Sequence, residues 1–398
     1  MSRRRHRDRP LPRLRCRDVR RVDSPAWWAN RGRKLKSESE SLVRVNGMVG
    51  LLPQRCSPIG VDIGSRVVKL VQLTADGRRV WETSAAEFPR RDREKEAASD
   101  DAIADAIERA KRGRRFRGRQ AVFCLSARDL FVQNIRVPCQ SEAELLRTVY
   151  AEAETRLPVP VQDAEIRFFE AGQVRQGDAL RSELILMACR KRAVEKLMDI
   201  ADSCGMRLIG ADAEPAALVR CYARQFRRED DRQRTMMFVN IGASNTVVAI
   251  ARHDSPIFIK YVPIGGRNFD EAVAQSLGMS IESVVSLRRH NGDRRSENRD
   301  PEIVRNIEEA VREPLDRLTA ELSMCLRYHS VTFRGQTVDR VVIGGGEASE
   351  RLVAKIGSVL GVPTELGNPF RSIECHTYIG KPTVWDVAAG LALRSAAN

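Results

Sequence analysis

Two distant segments of the chain share one pattern, and that pattern limits what the chain can fold into. Residues 61–73 read VDIGSRVVKLVQL, and residues 238–250 read FVNIGASNTVVAI. In each, an apolar run reaches a polar residue, turns at a glycine two positions later and returns as a second apolar run, as two strands around a turn do. The polar residues, Asp62 and Asn240, are 178 positions apart. This spacing is too long for a solenoid repeat, so the sequence predicts two related lobes that face one another.

The rest of the chain alternates strand-like and helix-like segments, which predicts an α/β fold. Residues 191–205 have helical periodicity and end at a glycine, which is typical of a helix and its C-terminal stop. Residues 164–172 and 182–190 are predicted strands, joined by a loop at 173–181.

The segment around residue 300 is predicted to be mainly helical. A polar loop at residues 291–300, NGDRRSENRD, separates two helical patterns. The second of these predicts one long helix from Pro301 to about Ser330. Because proline lacks a backbone donor, we expect a kink at Pro314.

The positive charge of the chain is concentrated near its N-terminus. The net charge is +15, which by itself favours nucleic-acid binding. Residues 1–47 hold fifteen Lys/Arg and five Asp/Glu, whereas the other 351 residues hold 53 and 48. This aperiodic, Arg-, Pro- and Ser-rich stretch predicts a disordered basic extension that binds anionic lipid or nucleic acid, or is dispensable. It is equally open that the natural protein begins at Met48 and that residues 1–47 are a start-site artefact.

Several protein classes are disfavoured by what the sequence lacks. No run of about 18 apolar residues predicts a transmembrane helix, and the Arg-rich start leads into no apolar segment of a secretory signal. The nine cysteines form no C-x-x-C pair and the five histidines form no H-x-x-x-H. Disulfide frameworks and zinc sites need such spacing. We therefore expect reduced thiols in a cytoplasmic protein that makes no cysteine or histidine metal site of its own.

The turn after Asp62 has the residues that a phosphate site needs. Gly64 allows the backbone, with its converging N–H groups, to approach a ligand closely. Ser65 adds a hydroxyl donor and Lys69 adds a positive charge. Because a carboxylate repels phosphate, Asp62 would act through Mg²⁺ and its waters. The alternative is an ordinary hairpin, which these residues form as readily.

Two further glycine-containing segments extend this pattern. The second turn offers Asn240, Gly242, Ala243, Ser244, Asn245 and Thr246. The third segment, VVIGGGEASERL, ends a predicted strand and begins a helix, so that a base or ribose can lie against Gly344, Gly345 and Gly346. Three glycines after a strand often mark only a tight turn. The order of the three segments is what favours a nucleotide site.

In that order the segments resemble the motifs of the actin–Hsp70–sugar kinase superfamily. The first phosphate motif corresponds to residues 62–69, the second to 240–246 and the adenosine motif to 343–347. Two connecting segments also fit. ADAEPAALVRCY, at 211–222, looks like the superfamily's linking helix, and PIGGRNFDEAV, at 263–273, looks like its L-G-G-x-x-F/M-D segment.

Within this superfamily the chain is similar to the PilM family of type IV pilus assembly proteins, relatives of the division protein FtsA. The similarity runs from about Met48 to the C-terminus and is clearest in EAELLRTVYAEAETRLPVP, VIGGGEASERLVAKIGSVLGVPTELGNPF and AAGLALR. It implies an actin-like (ribonuclease H-like) ATPase fold of two lobes with an FtsA-like inserted α/β subdomain. The implied division is a first lobe at 48–126 and 191–234, the small subdomain at 127–190, and a second lobe at 235–398 with a helical part at about 266–335.

The resemblance also implies a function. ATP with Mg²⁺ would bind between the lobes of an adaptor at the cytoplasmic face of the inner membrane. The adaptor would bind the N-terminal cytoplasmic peptide of a PilN-like single-span membrane protein in a groove near the small subdomain. It would also contact other inner-membrane and cytoplasmic components of the pilus. Self-association stays open. Related scaffolds serve type II secretion. The implied nucleotide-binding residues are Asp62, Gly64, Ser65, Lys69, Asn240, Gly242, Ala243, Ser244, Asn245, Thr246, Gly265, Gly266, Arg288, Gly344, Gly345, Gly346 and Glu347, with Asp62 and Asn240 holding Mg²⁺ through water.

Three positions qualify this expectation. Asn240 stands where the family usually has Asp, and it lacks the charge that helps to hold Mg²⁺. Val285 and Arg288 stand at the Glu and Lys of an adenosine-contacting A-E-x-x-K pattern, and valine cannot hydrogen-bond a ribose. Glu214 is the candidate for positioning water, although a carboxylate stabilised by the helix dipole explains it as well.

These departures predict a slow ATPase at most. The alternatives that stay open are an actin-fold ATPase or sugar kinase-type enzyme, a degenerate scaffold that binds no nucleotide, and a polymer-forming filament. A nucleic-acid-binding role depends on residues 1–47 alone.

Overall fold

The structure, a computed structural model, describes residues 56–88, 98–139, 141–226, 234–293 and 300–394. The predictions about residues 1–47 and the start at Met48 lie outside the described residues. The strands are β1 (Ile59–Ile63), β2 (Val67–Leu73), β3 (Val80–Glu87), β4 (Gln120–Leu125), β5 (Leu130–Pro138), β6 (Ala164–Gln176), β7 (Ala179–Arg190), β8 (Arg207–Ala213), β9 (Thr235–Ile241), β10 (Thr246–Arg252), β11 (Ser255–Val262), β12 (Arg340–Gly344) and β13 (Thr364–Leu366). The helices are α1 (Asp100–Lys111), α2 (Glu142–Arg156), α3 (Lys191–Ser203), α4 (Glu214–Ala223), α5 (Gly266–Leu277), α6 (Ile281–Asp293), α7 (Pro301–Ala310), α8 (Arg312–Thr332), α9 (Glu350–Leu360) and α10 (Asp386–Ala392).

Two five-stranded sheets have the same topology, as the repeated pattern predicts. Their strand orders are β3-β2-β1-β4-β8 and β11-β10-β9-β12-β13. In each, the first strand pairs antiparallel with the second and parallel with a later one. Even the turns agree, since Gly64 N–H donates to Val67 O at 3.1 Å and Gly242 N–H donates to Asn245 O at 2.9 Å. The prediction of two related lobes is therefore confirmed.

Helices cover both faces of the first sheet, so its strands are apolar on both sides. On one face α1 and α3 bury a cluster that includes Val61, Ile107, Phe123 and Leu197. On the other face α4 and α10 pack against β4. The two lobes meet along α4 and α10, which brings the first residues of these helices next to the glycine turns.

The third sheet, of order β5-β7-β6, lies within the predicted small subdomain at 127–190. One of its faces packs on α2 and includes Leu184 and Leu186. The other face, with Ile185 and Met187, joins the core of the second lobe beside β11 and α8. The small subdomain is thus held between its own helix and the second lobe, while the exact domain boundaries stay a prediction.

Three local predictions were wrong. The predicted loop at 173–181 is mostly strand, because β6 and β7 continue to a two-residue turn that begins at Gly177, whose φ is +60°. The predicted polar loop at 291–300 is wrong at its start, since α6 continues to Asp293, and its residues 294–299 lie outside the described residues.

The predicted helix kink is also displaced. The chain breaks at Val311, between α7 and α8, and Pro314 lies in the first turn of α8. A proline ring clashes with the carbonyl four residues earlier, here that of Ala310, and it is tolerated in a first turn. The break therefore precedes the proline. Within the described residues, no helix is long and apolar enough to cross a membrane.

Candidate functional site

The two glycine turns and the first residues of α4 and α10 converge at the cleft between the lobes. Asp62 is at the end of β1 and Asn240 at the end of β9, and both are buried. Glu214 begins α4 and Asp386 begins α10. The four side chains come from separate parts of the sequence. The shared topology of the lobes brings them to one place.

The predicted phosphate-binding lysine is paired with the predicted metal-binding aspartate. Asp62 and Lys69 are opposite each other in the β1–β2 register, and Lys69 Nζ donates to Asp62 Oδ2 at 2.6 Å. Burial lowers the pKa of Lys69, but the carboxylates of Asp62, Asp386 and Glu214 outweigh it and raise the pKa above its ordinary value. Lys69 is therefore a fixed positive charge at this end of the cleft.

Asn240 is held by a buried carboxylate that the sequence did not single out. Its Nδ2 donates to both carboxylate oxygens of Asp386, at 2.8 and 2.9 Å. Asp386 also accepts from the Val387 N–H at 2.8 Å and from the Tyr222 hydroxyl at 3.4 Å. Burial raises the pKa of Asp386 to about 6, against the lowering effects of Lys69, the Val387 amide and Asn240.

Glu214 faces this cluster without a hydrogen-bond donor among the described residues. Burial, and then the charge of Asp62, raise its pKa to about 8, with Asp386 adding to the rise and Lys69 opposing it. A carboxylate stabilised only by a helix N-terminus would have a lowered pKa instead. A raised pKa in a cleft is typical of a functional carboxyl group. Near Glu214, the buried hydroxyl of Tyr261 has no partner among the described groups.

The segment that contains Gly265 packs against the second turn and donates hydrogen bonds to it. Gly266 N–H donates to Gly242 O at 2.9 Å, and Arg267 N–H donates to Ala243 O at 2.7 Å. A Cβ at Gly265 would lie 2.7 Å from Gly242 O and 2.9 Å from Asn245 N. Gly265 and Gly266 thus shape the turn.

The polar side chains of the second turn differ in their availability to a ligand. Thr246 Oγ1 donates to Ile264 O at 2.7 Å, so its hydroxyl proton is used within the protein. Ser244 Oγ is buried and has no partner among the described groups. In the first turn, Ser65 is exposed and Gly64 packs against Val67 O. Ser244 is the hydroxyl that a ligand in this turn would satisfy.

Only one of the three glycines of the predicted adenosine segment has open space in front of it. A Cβ at Gly344 would collide with Asp386 and Tyr222, and a Cβ at Gly345 would collide with the backbone of Ile241. Gly345 has φ +93°, which other residues rarely adopt. No atom lies within 4 Å of a Cβ at Gly346.

Arg288 and Glu347, both predicted to contact the nucleotide, bind each other. Arg288 Nη2 donates to Glu347 Oε2 at 2.5 Å, and its Nη1 pairs with Asp270. The Glu347 side chain fills the space that a Cβ of Gly266 would take. The nearby carboxylates outweigh burial and raise the pKa of Arg288. Arg66, next to the first turn, reaches across the cleft to Asp270 Oδ2 at 2.5 Å.

These contacts decide which parts of a magnesium nucleotide fit. The two turns, Lys69 and the unpartnered hydroxyl of Ser244 fit phosphate oxygens. The magnesium ligands fit less well, because Asp62 is bound to Lys69 and Asn240 is turned to Asp386. Among the residues that the structure describes, no three His, Cys, Asp or Glu side chains are grouped as a metal site requires.

The sequence predictions missed four residues of this site: Arg66, Tyr222, Asp270 and Asp386. Asp270 stands inside the segment that resembles L-G-G-x-x-F/M-D, so a signal for it was present. Asp386 begins the small-residue helix DVAAGLA and had only a weak signal, an acid at a helix start. Arg66 and Tyr222 also stand inside matched segments, at 62–69 and 211–222, but nothing in these segments predicts their contacts, which join distant parts of the chain.

Comparisons with known proteins agree with this architecture. The family model described as type IV pilus assembly protein PilM matches residues 60–396. A solved structure of a PilM-PilN type IV pilus biogenesis complex is similar at 23% identity and a TM-score of 0.70, over 86% of this chain and 99% of that chain. The ethanolamine utilization protein EutJ from Carboxydothermus hydrogenoformans is similar at 14% identity and a TM-score of 0.54, over 86% of this chain and 91% of that one. At these identities the two structures support the fold, and the predicted actin-like α/β fold is confirmed.

Proposed function

The chain belongs to the family of type IV pilus assembly proteins described as PilM, and from this premise we propose that it is an actin-like adaptor that binds a nucleotide and the N-terminal cytoplasmic peptide of a PilN-like membrane protein. The observation that carries the proposal is the family match over residues 60–396. The similar solved structure is itself a PilM-PilN complex, which supports a PilN-like partner for this chain. The adaptor would work at the cytoplasmic face of the inner membrane.

The proposed peptide groove lies beside the small subdomain. The edge strands β5 and β6 leave two sides of its sheet without a neighbouring strand in that sheet. An extended peptide can add to such an edge through backbone hydrogen bonds, with side-chain pockets setting specificity. Because the small sheet also packs on the second lobe, a peptide there is well placed to respond to the nucleotide cleft.

For the nucleotide, we propose that ATP binds with its phosphates at the two glycine turns. The matching turn geometry, the fixed charge of Lys69 and the unpartnered Ser244 hydroxyl support this placement. Glu214, with a pKa of about 8, would be largely protonated at neutral pH and therefore a poor base. This favours an adaptor that binds ATP over an efficient ATPase.

One observation favours a second candidate, a scaffold that needs no nucleotide. The ion pairs of Arg288 with Glu347 and of Arg66 with Asp270 satisfy four charged side chains within the protein. A nucleotide would have to displace or share these partners. The protein would then keep the fold for its peptide groove alone.

The test is binding of a labelled peptide that copies the cytoplasmic N-terminus of the PilN-like protein encoded in the same genome. Fluorescence anisotropy with the full chain would be measured with ATP and Mg²⁺, with ATP alone and with neither, beside a scrambled peptide. Saturable binding of the native peptide alone supports the adaptor. If the two peptides bind equally, the proposed partner is wrong. Calorimetry with ATP separates the nucleotide-binding adaptor from the nucleotide-free scaffold.

A further inference from the structure

One end of the first lobe carries a dense group of arginines that the candidate site does not use. At this end β1, β4 and β8 begin, β2 ends and β3 begins. The candidate site lies at the opposite ends of β1 and β2, at the turn that contains Gly64. The two surfaces are therefore separated by the length of the sheet.

The arginines come from three segments that hydrogen bonds join into one surface. The loop after α1 reads KRGRRFRGR at 111–119 and contains six basic residues and no acid. Arg207 N–H donates to Arg119 O at 2.6 Å, which joins β8 to the loop. Trp81 Nε1 donates to Arg115 O at 2.7 Å, which joins β3 to it. We call the surface made by Arg78, Arg79, Lys111, Arg112, Arg114, Arg115, Arg117, Arg119 and Arg207 the basic end.

Acidic side chains neutralise only part of this charge. Arg79 pairs with Glu374 at 2.9 Å, and Arg114 is 4.0 Å from Glu82. Asp76 interacts with Arg78, whose backbone N–H donates to its Oδ1 at 3.0 Å. Four exposed arginines have no acidic partner at their guanidinium groups among the described residues: Arg112, Arg115, Arg119 and Arg207. Charges of one sign in this number repel one another, so a partner that neutralises them is favourable.

Two further features indicate what this partner is. Trp81 lies within the basic end, with the Arg117 guanidinium 4.1 Å from its ring centroid, and tryptophan among basic residues is typical of membrane interfaces. Cys56 pairs with Thr74 at this same end, so the chain enters the described fold there.

We propose that the basic end binds the anionic phospholipid surface of a membrane. The choice of a membrane over another polyanion rests on the proposed function, in which the partner peptide belongs to a membrane protein. Each Lys or Arg near an anionic membrane surface contributes on the order of 1 kcal/mol. This binding would hold the basic end of the first lobe against the membrane and leave the cleft at the opposite end of the first sheet.

The experiment compares three full-length proteins in sedimentation with vesicles of phosphatidylglycerol and phosphatidylethanolamine, and with vesicles of phosphatidylcholine alone. The test variant combines Arg112→Gln, Arg114→Gln and Arg115→Gln. The control variant removes the same charge elsewhere, at three exposed arginines without an ion pair among the described residues: Arg175→Gln, Arg192→Gln and Arg327→Gln. Circular dichroism melting checks that all three are folded.

We expect the test variant to bind the anionic vesicles roughly a hundredfold more weakly than the natural chain, and the control variant to bind them nearly as well. Equal binding of the two variants overturns the proposal. Binding to a DNA duplex that the test variant loses, with no binding to vesicles, also overturns it and assigns the surface to nucleic acid. The peptide assay is run on the same three proteins. If none of them binds the peptide but the natural chain still binds the anionic vesicles, only the proposed adaptor function is contradicted.

Discussion

The amide of Asn240 donates to both carboxylate oxygens of Asp386, at 2.8 and 2.9 Å, across 146 positions of sequence. The absence of a negative charge at position 240, which by itself suggests a weakened magnesium site, therefore has a structural reason. An aspartate there would face a second buried carboxylate, and two carboxylates this close cannot both ionise without a large cost. The hydrogen bonds from Asn240 hold α10 against β9, and Asp386 supplies the only carboxylate of this pair.

We predict that Asn240→Asp lowers the free energy of unfolding by about 1.5–3 kcal/mol at pH 8, the usual loss for a hydrogen bond to a charged group. The loss should be smaller at pH 5, where the two carboxylates can share a proton. Urea unfolding at both pH values measures this. Asn368→Asp is the matched control, because Asn368 uses its Oδ1 to accept from Phe370 N–H at 3.0 Å and a carboxylate accepts there as well. Equal losses in the two variants would contradict the assigned role.

The contributions of Asp386 and Glu214 to the stability of the fold should fall as pH rises from about 4 to about 8. Burial raises the pKa of Asp386 to about 6 and that of Glu214 to about 8. The folded state therefore holds protons that the unfolded state has released, and stability present at low pH is lost as these groups ionise. Glu214→Gln should remove the upper part of this slope and leave the protein more stable than the natural chain above pH 8. Glu350→Gln, at an exposed carboxylate of α9, is the control. An unchanged slope in Glu214→Gln would show that Glu214 ionises normally.

The sequence predicted the parts of this molecule that depend on local pattern. The two strand–turn–strand segments predicted the paired lobes, because alternating apolar runs and a glycine turn specify that unit by themselves. The partner of Asn240 could not be predicted, since nothing local links residue 240 to residue 386. The helix break at Val311 was placed wrongly because the effect of Pro314 falls on the preceding turn. The loop at 173–181 was mistaken for irregular chain because its polar residues belong to an exposed extension of β6 and β7.

The ion pair of Asp62 with Lys69 allows their roles in nucleotide binding to be separated. If Lys69 contacts phosphate, Lys69→Ala should weaken the binding of ATP about tenfold or more, with or without Mg²⁺. Asp62→Asn should not weaken binding of ATP in the absence of Mg²⁺, because it releases Lys69 from a competing carboxylate. In the presence of Mg²⁺ it should weaken binding, if Asp62 holds the ion through water. Calorimetry on both variants measures this. Equal losses in both, with and without Mg²⁺, would show that the pair only supports the turn.

Asp270 should be the charged residue on which the closure of the cleft depends most. It is 1% exposed and pairs with both Arg66 and Arg288. Asp270→Ala leaves Arg66 without its acidic partner and Arg288 with Glu347 alone, and should cost about 3–5 kcal/mol in the free energy of unfolding. The pair of Glu87 with Arg289 also joins the two lobes, but both side chains are over 40% exposed. Glu87→Gln should therefore cost under about 1 kcal/mol. Urea unfolding measures the loss of free energy of unfolding in each variant, and so compares a buried with an exposed ion pair between the same lobes. Similar losses in the two variants would contradict the expectation that the buried pair contributes more.

Glu347→Gln distinguishes the nucleotide-binding adaptor from the scaffold. In the structure Glu347 holds Arg288 at 2.5 Å and fills the space in front of Gly266. Without its charge, Arg288 is freer to contact a nucleotide, and the removal of one carboxylate from the cleft lowers the repulsion of phosphate. We expect ATP to bind several-fold more tightly to Glu347→Gln, as measured by calorimetry beside Glu365→Gln, a carboxylate paired with Arg340 and Arg371 outside the site. If affinity falls in Glu347→Gln and not in the control, Glu347 itself contacts the nucleotide. If neither the natural chain nor the variant binds ATP, the cleft is closed by more than this ion pair, and the fold serves the peptide alone.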